Sequence, residues 1–202
     1  MKRAGLFGGT FDPVHVGHEA MVRRALARNL EKVVVMPCRI SPHKRPDEGN
    51  ALPVSEEHRL AMLRLALRGV TGADISTHEL ERPGLSYTWQ TLDYLKKSFP
   101  DLRWVLVLGM DQFKALPQWD RFEDWGTGVD YLVFRREGVS AVEISGFQSL
   151  QVDWAQELIP GVAASEIRRR VRCGESIQNQ VSPLVEEYIR DFGLYKTHLK
   201  SV

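Results

Sequence analysis

A chain of 202 residues with a formal charge of +1, 43% hydrophobic residues and five tryptophans suits a folded domain with a real core; disorder would need fewer apolar residues and more net charge. The near-neutral balance gives no general pull toward nucleic acid or an anionic membrane, although a local basic patch still suits phosphate. The two cysteines, Cys38 and Cys173, lie far apart and in no CxxC pair, which argues against a zinc site or a disulfide framework and fits a reducing cytoplasm.

In chain order, Arg3 to Phe7 predicts a buried strand ending in a glycine turn, too short for a signal peptide or a membrane span. Val16 to Leu30 predicts a helix. Lys32 to Met36 is a β-branched strand stopped by Pro37. Arg39 to Leu52, rich in Pro, Lys and Arg, predicts a mobile surface loop. Ser55 can cap the next helix, with Glu56 and Glu57 complementing the dipole of its first turn and Leu60, Leu63 and Leu67 on one face. Ala73 to Thr77 is a weaker strand, and Thr88 to Phe99 a helix ended by Pro100. Arg103 to Leu108 and Asp130 to Phe134 predict buried strands. A short strand or two, a helix from Ser165 to Arg172, and a helix opening at Ser182-Pro183 and stopping near Gly193 complete the chain.

Strand–helix alternation with continuous apolar strands implies an α/β fold: a Rossmann-like, doubly wound parallel sheet with helices on both faces. The expectation is one cytoplasmic domain over residues 1–202, its helical part from about 163 to 195 packed on the rest. Assembly into a homo-oligomer stays open. Ligands in such sheets bind beyond the carboxyl ends of the strands, where the first glycine turn falls.

Gly8-Gly9-Thr10 follows a strand and precedes a helix, so backbone N–H groups can approach a phosphate with no side chain between. Its spacing is neither GxGxxG nor GxxxxGK[ST]. His15 and His18 are three residues apart at the helix start and can face one side. Two exposed turn histidines is the plain alternative; a metal would need a third ligand. The positive helix N-terminus favours an anion between the rings. Elsewhere, Gly109 permits close approach by a nucleotide, and Asp111 is a carboxylate at a strand's carboxyl end, suited to ribose hydroxyls. Arg168, Arg169 and Arg170 fall near the start of a helix capped by Ser165, where cations oppose the dipole unless an anion is bound.

The segment GGTFDPVHVGH resembles the signature of the HxGH nucleotidyltransferases, and the chain is similar to the bacterial nicotinate mononucleotide adenylyltransferases within that superfamily. The resemblance implies transfer of AMP from ATP to nicotinate mononucleotide, giving deamido-NAD and pyrophosphate, with Mg²⁺ accompanying ATP. It implies ATP contacts at Gly8, Gly9, Thr10, Phe11, His15, His18, His43, Lys44, Gly109, Asp111, Ser165 and Arg168, with His15, His18, Lys44 and Arg168 carrying catalysis. Ser86-Tyr87-Thr88 matches the family segment that meets the nicotinate ring and its carboxylate, and Trp119 the residue that stacks on the ring. Asp120 stands where some relatives carry an aromatic, and Ala163 where the family carries a serine. Arg59 resembles a family position but reads as a core-helix residue with a salt bridge. Rival readings are the phosphopantetheine enzyme of the same superfamily, which usually has Thr where His15 stands, a nicotinamide mononucleotide acceptor, and a nucleotide-binding regulator without catalysis.

Overall fold

The computed structural model describes residues 1–43, 52–136, 147 and 149–196. Six parallel strands form one sheet: β1 (Lys2–Gly9), β2 (Lys32–Pro37), β3 (Ala73–Ile75), β4 (Leu102–Gly109), β5 (Asp130–Arg136) and β6 (Gln151–Ile159). Their order is β3-β2-β1-β4-β5-β6. The chain winds outward from β1 in one direction and from β4 in the other, so the reversal between β1 and β4 is the crevice where doubly wound sheets take ligands.

Eight α-helices accompany the strands: α1 (Val16–Leu26), α2 (Glu56–Ala66), α3 (His78–Glu81), α4 (Thr88–Ser98), α5 (Met110–Lys114), α6 (Phe122–Trp125), α7 (Ala164–Arg172) and α8 (Pro183–Asp191). Alternate strand residues divide the core. Phe7, Val33, Val35, Val105, Val107, Leu132 and Phe134 pack against α1, α2, α7 and α8. Leu6, Val34, Met36, Trp104, Leu106, Tyr131 and Val133 pack against α4, α5 and Trp125. Both faces are covered, which is why the strands read as unbroken apolar runs. Among the described residues no helix is long and apolar enough to cross a membrane.

Several boundaries differ from expectation. Helix α1 stops at Leu26 rather than Leu30, because Asn29 takes φ 57° as the chain turns toward β2. Thr77 precedes α3 instead of ending β3, and α4 starts at Thr88 with Tyr87 at its N-cap. Helix α8 ends as expected: Gly193 at φ 58° lets its N–H reach Arg190 O and the Leu194 N–H reach Ile189 O, satisfying the last carbonyls.

The largest correction concerns α7. Its N-cap is Ala163, and Ser165 lies inside the first turn, so Ser165 does not cap the helix. Arg169 and Arg170 consequently fall in the last turn, where cations suit the dipole. Arg169 pairs with Glu166 and Glu175, and Arg170 with Glu166; these arginines hold the Glu166 carboxyl down at about 2. Ala163 offers no side-chain acceptor to the first turn. Ala163→Ser should therefore stabilise the fold by about 0.5–2 kcal/mol, read as a rise in the urea midpoint at constant slope; an unchanged midpoint would show that this helix end is already satisfied.

Candidate active site

The turn after β1 is held from all sides. Phe11 takes φ 52°, a left-handed conformation that costs a non-glycine residue about 1–3 kcal/mol unless its surroundings impose it. The surroundings do so. Arg59 of α2 is buried to 1% and its Nη1 donates to Thr10 O and Cys38 O, both at 2.8 Å, while Nη2 donates to Arg39 O at 3.4 Å. Arg59 thus ties the ends of β1 and β2 together through backbone carbonyls; among the described residues these bonds stand where a salt bridge was expected.

Asp12 is the second anchor, 7% exposed. Its Oδ1 accepts from the Val54 N–H at 3.2 Å and from the Tyr195 hydroxyl at 2.8 Å. Arg168 of α7 donates to Asp12 O at 2.6 Å and lies 3.5 Å from Asp12 Oδ2. Of the three consecutive arginines in α7, Arg168 is the one that turns to the motif loop. Burial and the Asp12 carboxylate push the Tyr195 phenol far above its ordinary value, so it stays a donor.

Beyond this loop His15 takes the N-cap of α1 and His18 the third helical position. Their rings stack with centroids 3.6 Å apart and planes 21° apart. His18 Nδ1 accepts the His15 N–H at 3.3 Å, which places the proton of a neutral ring on Nε2, as a donor. Phe11 meets the His18 ring edge-on at 5.0 Å and fixes its tilt. Gly17 makes the stacking feasible: a Cβ there would stand 3.1 Å from the His15 ring and 3.2 Å from Pro160 O. At Gly109 an added Cβ would meet no protein atom within 4 Å, and at Gly8 only Met36 O at 4.0 Å. These glycines, at the ends of the central strands, leave a flat shelf for close approach.

A second cluster lies around the start of α4. Arg39 and Ile40, past β2, meet the segment before α4: the Arg39 N–H donates to Ser86 Oγ at 3.0 Å and the Ser86 N–H to Ile40 O at 2.9 Å. The Trp89 indole donates to Asp120 Oδ2 at 2.8 Å, fastening α4 to the Trp119 segment, and Arg121 lies over the Trp89 ring. Asp120 is thus an acceptor for a neighbouring tryptophan. Trp119 is half-buried, with the His43 ring 5.9 Å away and Trp125 6.3 Å away. Glu79 of α3, 9% exposed, accepts the Thr91 hydroxyl.

Gly8, Gly9, Thr10, Phe11, His15, His18 and Arg168 are therefore gathered around one turn, and Tyr87, Thr88, Trp119 and His43 around another. Gly109 caps α5, with Asp111 exposed in its first turn. Lys44 lies outside the described residues. Among the described residues no three His, Cys, Asp or Glu side chains converge as a metal site. Sequence reasoning missed the roles of Asp12, Tyr195, Arg59 and Glu79. Tyr195 and Asp12 are 183 residues apart, a pairing that no local pattern carries. Tyr195→Phe keeps the ring and deletes the donor, and should cost about 1.5–3 kcal/mol, the usual worth of a hydrogen bond to a charged group. Urea denaturation checks this; a variant as stable as the parent would leave Asp12 independent of the C-terminal turn.

Residues 6–170 match the family model described as cytidylyltransferase-like. A protein of Halalkalibacterium halodurans named probable nicotinate-nucleotide adenylyltransferase is 38% identical over 200 residues, covering 98% of this chain and 93% of the relative. One of the same name from Thermomicrobium roseum is 38% identical over 208 residues, with 98% and 93% covered. Among solved structures, the Plasmodium falciparum nicotinic acid mononucleotide adenylyltransferase complexed with NaAD has a TM-score of 0.80 at 19% identity, covering 96% of this chain and 98% of that one. That likeness is one of fold, and it agrees with the doubly wound sheet. On its motif loop, its sheet order and these relatives, the chain belongs to the cytidylyltransferase-like family, in the branch of the nicotinate-nucleotide adenylyltransferases.

Proposed function

We propose that the protein transfers AMP from ATP to nicotinate mononucleotide, giving nicotinate adenine dinucleotide and pyrophosphate in NAD biosynthesis. The observation that carries this is the stacked His15–His18 pair at the N-terminus of α1, immediately beyond the glycine end of β1. Two imidazoles at a positive helix end suit a phosphate chain. The names of the relatives supply the acceptor.

A phosphate oxygen of the acceptor attacks the α-phosphorus of ATP in line. A new P–O bond forms as the bond to the bridging oxygen of the β-phosphate breaks, and pyrophosphate leaves with that electron pair. The nucleophile is already anionic near neutral pH, so no general base is needed; catalysis is positioning and charge stabilisation. His18 Nε2–H and His15 donate to the phosphates as charge builds. The backbone N–H groups of Gly9 and Thr10 add donors, and Phe11 shapes their turn. Lys44, His43 and Arg168 hold the β- and γ-phosphates. Ser165 lies in the first turn of α7, where an N-cap without a side-chain acceptor leaves backbone N–H groups for phosphate. Gly109 and Asp111 take the adenosine. Mg²⁺ would enter with ATP as part of the substrate and would offset the phosphate charge. Tyr87 and Thr88 meet the pyridine substituent and Trp119 its ring.

Residues 1–202 work as one unit, the part from about 163 to 195 supplying Arg168 and Tyr195 to the ATP side. Cys38 and Cys173 are in no disulfide among the described residues, which suits the cytoplasm. Nicotinamide mononucleotide is the nearest rival acceptor, since it differs only by amide for carboxylate.

Pyrophosphate release from Mg-ATP, with nicotinate mononucleotide, nicotinamide mononucleotide and phosphopantetheine offered separately, should be fastest with the first. Release with none of them would reject the reading in favour of a nucleotide-binding regulator. His18→Ala should lower kcat by about 10²–10³, the usual loss of one transition-state donor; a near-normal kcat would remove His18 from the chemistry. Lys44→Ala should chiefly raise the KM for ATP, and an unchanged ATP dependence would dismiss that role.

A further inference from the structure

Glu79 is a carboxyl with no part in the chemistry above, yet it is 9% exposed. Burying such a group costs several kcal/mol unless polar partners answer it. Its partners all belong to the entrance of α4. Thr91, 1% exposed and one turn into that helix, donates its hydroxyl to Glu79 Oε1. Ser86 and Arg82 also lie near enough to draw the carboxyl down, and the Ser86 hydroxyl accepts the Arg39 N–H at 3.0 Å. Arg82 in turn donates to Gln90 Oε1 at 2.9 Å. Glu79, Arg82, Leu85, Ser86, Tyr87, Gln90 and Thr91 line one small cleft.

We propose that Glu79 is a specificity-determining positioning residue: by holding Thr91 beneath the start of α4, beside Ser86, it fixes the Tyr87–Thr88 turn against which the acceptor's pyridine substituent binds. The inference rests on the acceptor assignment made above. Ser86 and Thr91 flank Tyr87 and Thr88 in the chain; Glu79 holds Thr91, and the backbone of Arg39 and Ile40 holds Ser86, so the turn is fixed at both ends. Glu79 sits on the four-residue helix α3, outside the glycine loop and α7 that serve ATP. Its loss should therefore be felt by the acceptor and not by ATP. The charge also matters. An uncompensated carboxylate beside this turn would repel a carboxylate on the acceptor, and Arg82 with the α4 dipole removes that obstacle. Burial, the largest influence, pushes the Glu79 carboxyl up and favours its neutral form, which acts in the same direction.

The test compares wild type, Glu79→Ala, Glu79→Gln and Thr91→Val with Mg-ATP and each pyridine mononucleotide, alongside thermal melts. Glu79→Ala should raise the KM for nicotinate mononucleotide by about tenfold or more, the scale of a misplaced binding turn. It should also lower the acid-over-amide ratio of kcat/KM, while the KM for ATP stays within about twofold. Glu79→Gln, neutral and still able to accept from Thr91, should recover the acceptor KM to within about threefold of wild type. Thr91→Val removes the same bond from the other side and should shift the acceptor KM in the same direction, carrying the test if Glu79→Ala does not fold. Equal shifts in both substrates' KM, or a wild-type acceptor KM and acid-over-amide ratio in Glu79→Ala and Thr91→Val, would overturn the inference. A wild-type protein inert toward every acceptor would instead reject the assigned function.

Discussion

A buried carboxylate at Asp12 must be answered by donors, and it collects them from places far apart in the chain. The Val54 N–H comes from the approach to α2, Arg168 from α7, and the Tyr195 hydroxyl from the turn after α8. Arg59 adds its bonds to the carbonyls beyond the ends of β1 and β2. Together they hold Phe11 in its left-handed conformation and deliver His15 and His18 to the start of α1 as a stacked pair. Without these cross-links the glycine turn would be a flexible connection; with them it is a preorganised phosphate cradle.

Electrostatics at this edge come from topology more than from composition. Net charge is only +1. In a parallel sheet each helix that follows a strand begins at the carboxyl edge, so the positive ends of α1, α5 and α7 gather on the side where β1, β4 and β6 finish. An anionic substrate is thus favoured locally by a protein with no general attraction for anions. The arginines of α7 follow the same economy: Arg169 and Arg170 are neutralised by Glu166 and Glu175, and Arg168 faces the loop.

Much of this was legible in the residues. Strands β1, β2, β4 and β5 are continuous apolar runs because both of their faces are covered, and GGTFDPVHVGH stands at the turn where its chemistry requires it. Helices α3, α5 and α6 escaped because four or five residues carry no readable period. The start of α7 was misplaced because Ser165 looks like a cap, while the residue in the cap position, Ala163, has no side-chain signal. Arg59 was misread because a cation in an apolar helix suggests a carboxylate partner, whereas strand ends offer carbonyls that no sequence pattern displays. Tyr195 acts through a contact that exists only once distant elements have packed, and Glu79 through one between two successive helices that no sequence spacing displays.

The Tyr195–Asp12 bond also bears on how the protein is made. The cradle's own residues run from Gly8 to His18, yet one of its donors comes 183 residues after Asp12. While the polypeptide is still emerging from a ribosome, the glycine turn and both histidines can already be in the open, but Asp12 lacks its phenol and its guanidinium. The clasp is therefore synthesised well after the signature it sets, and a nascent chain stopped short of residue 195 would carry the motif without it.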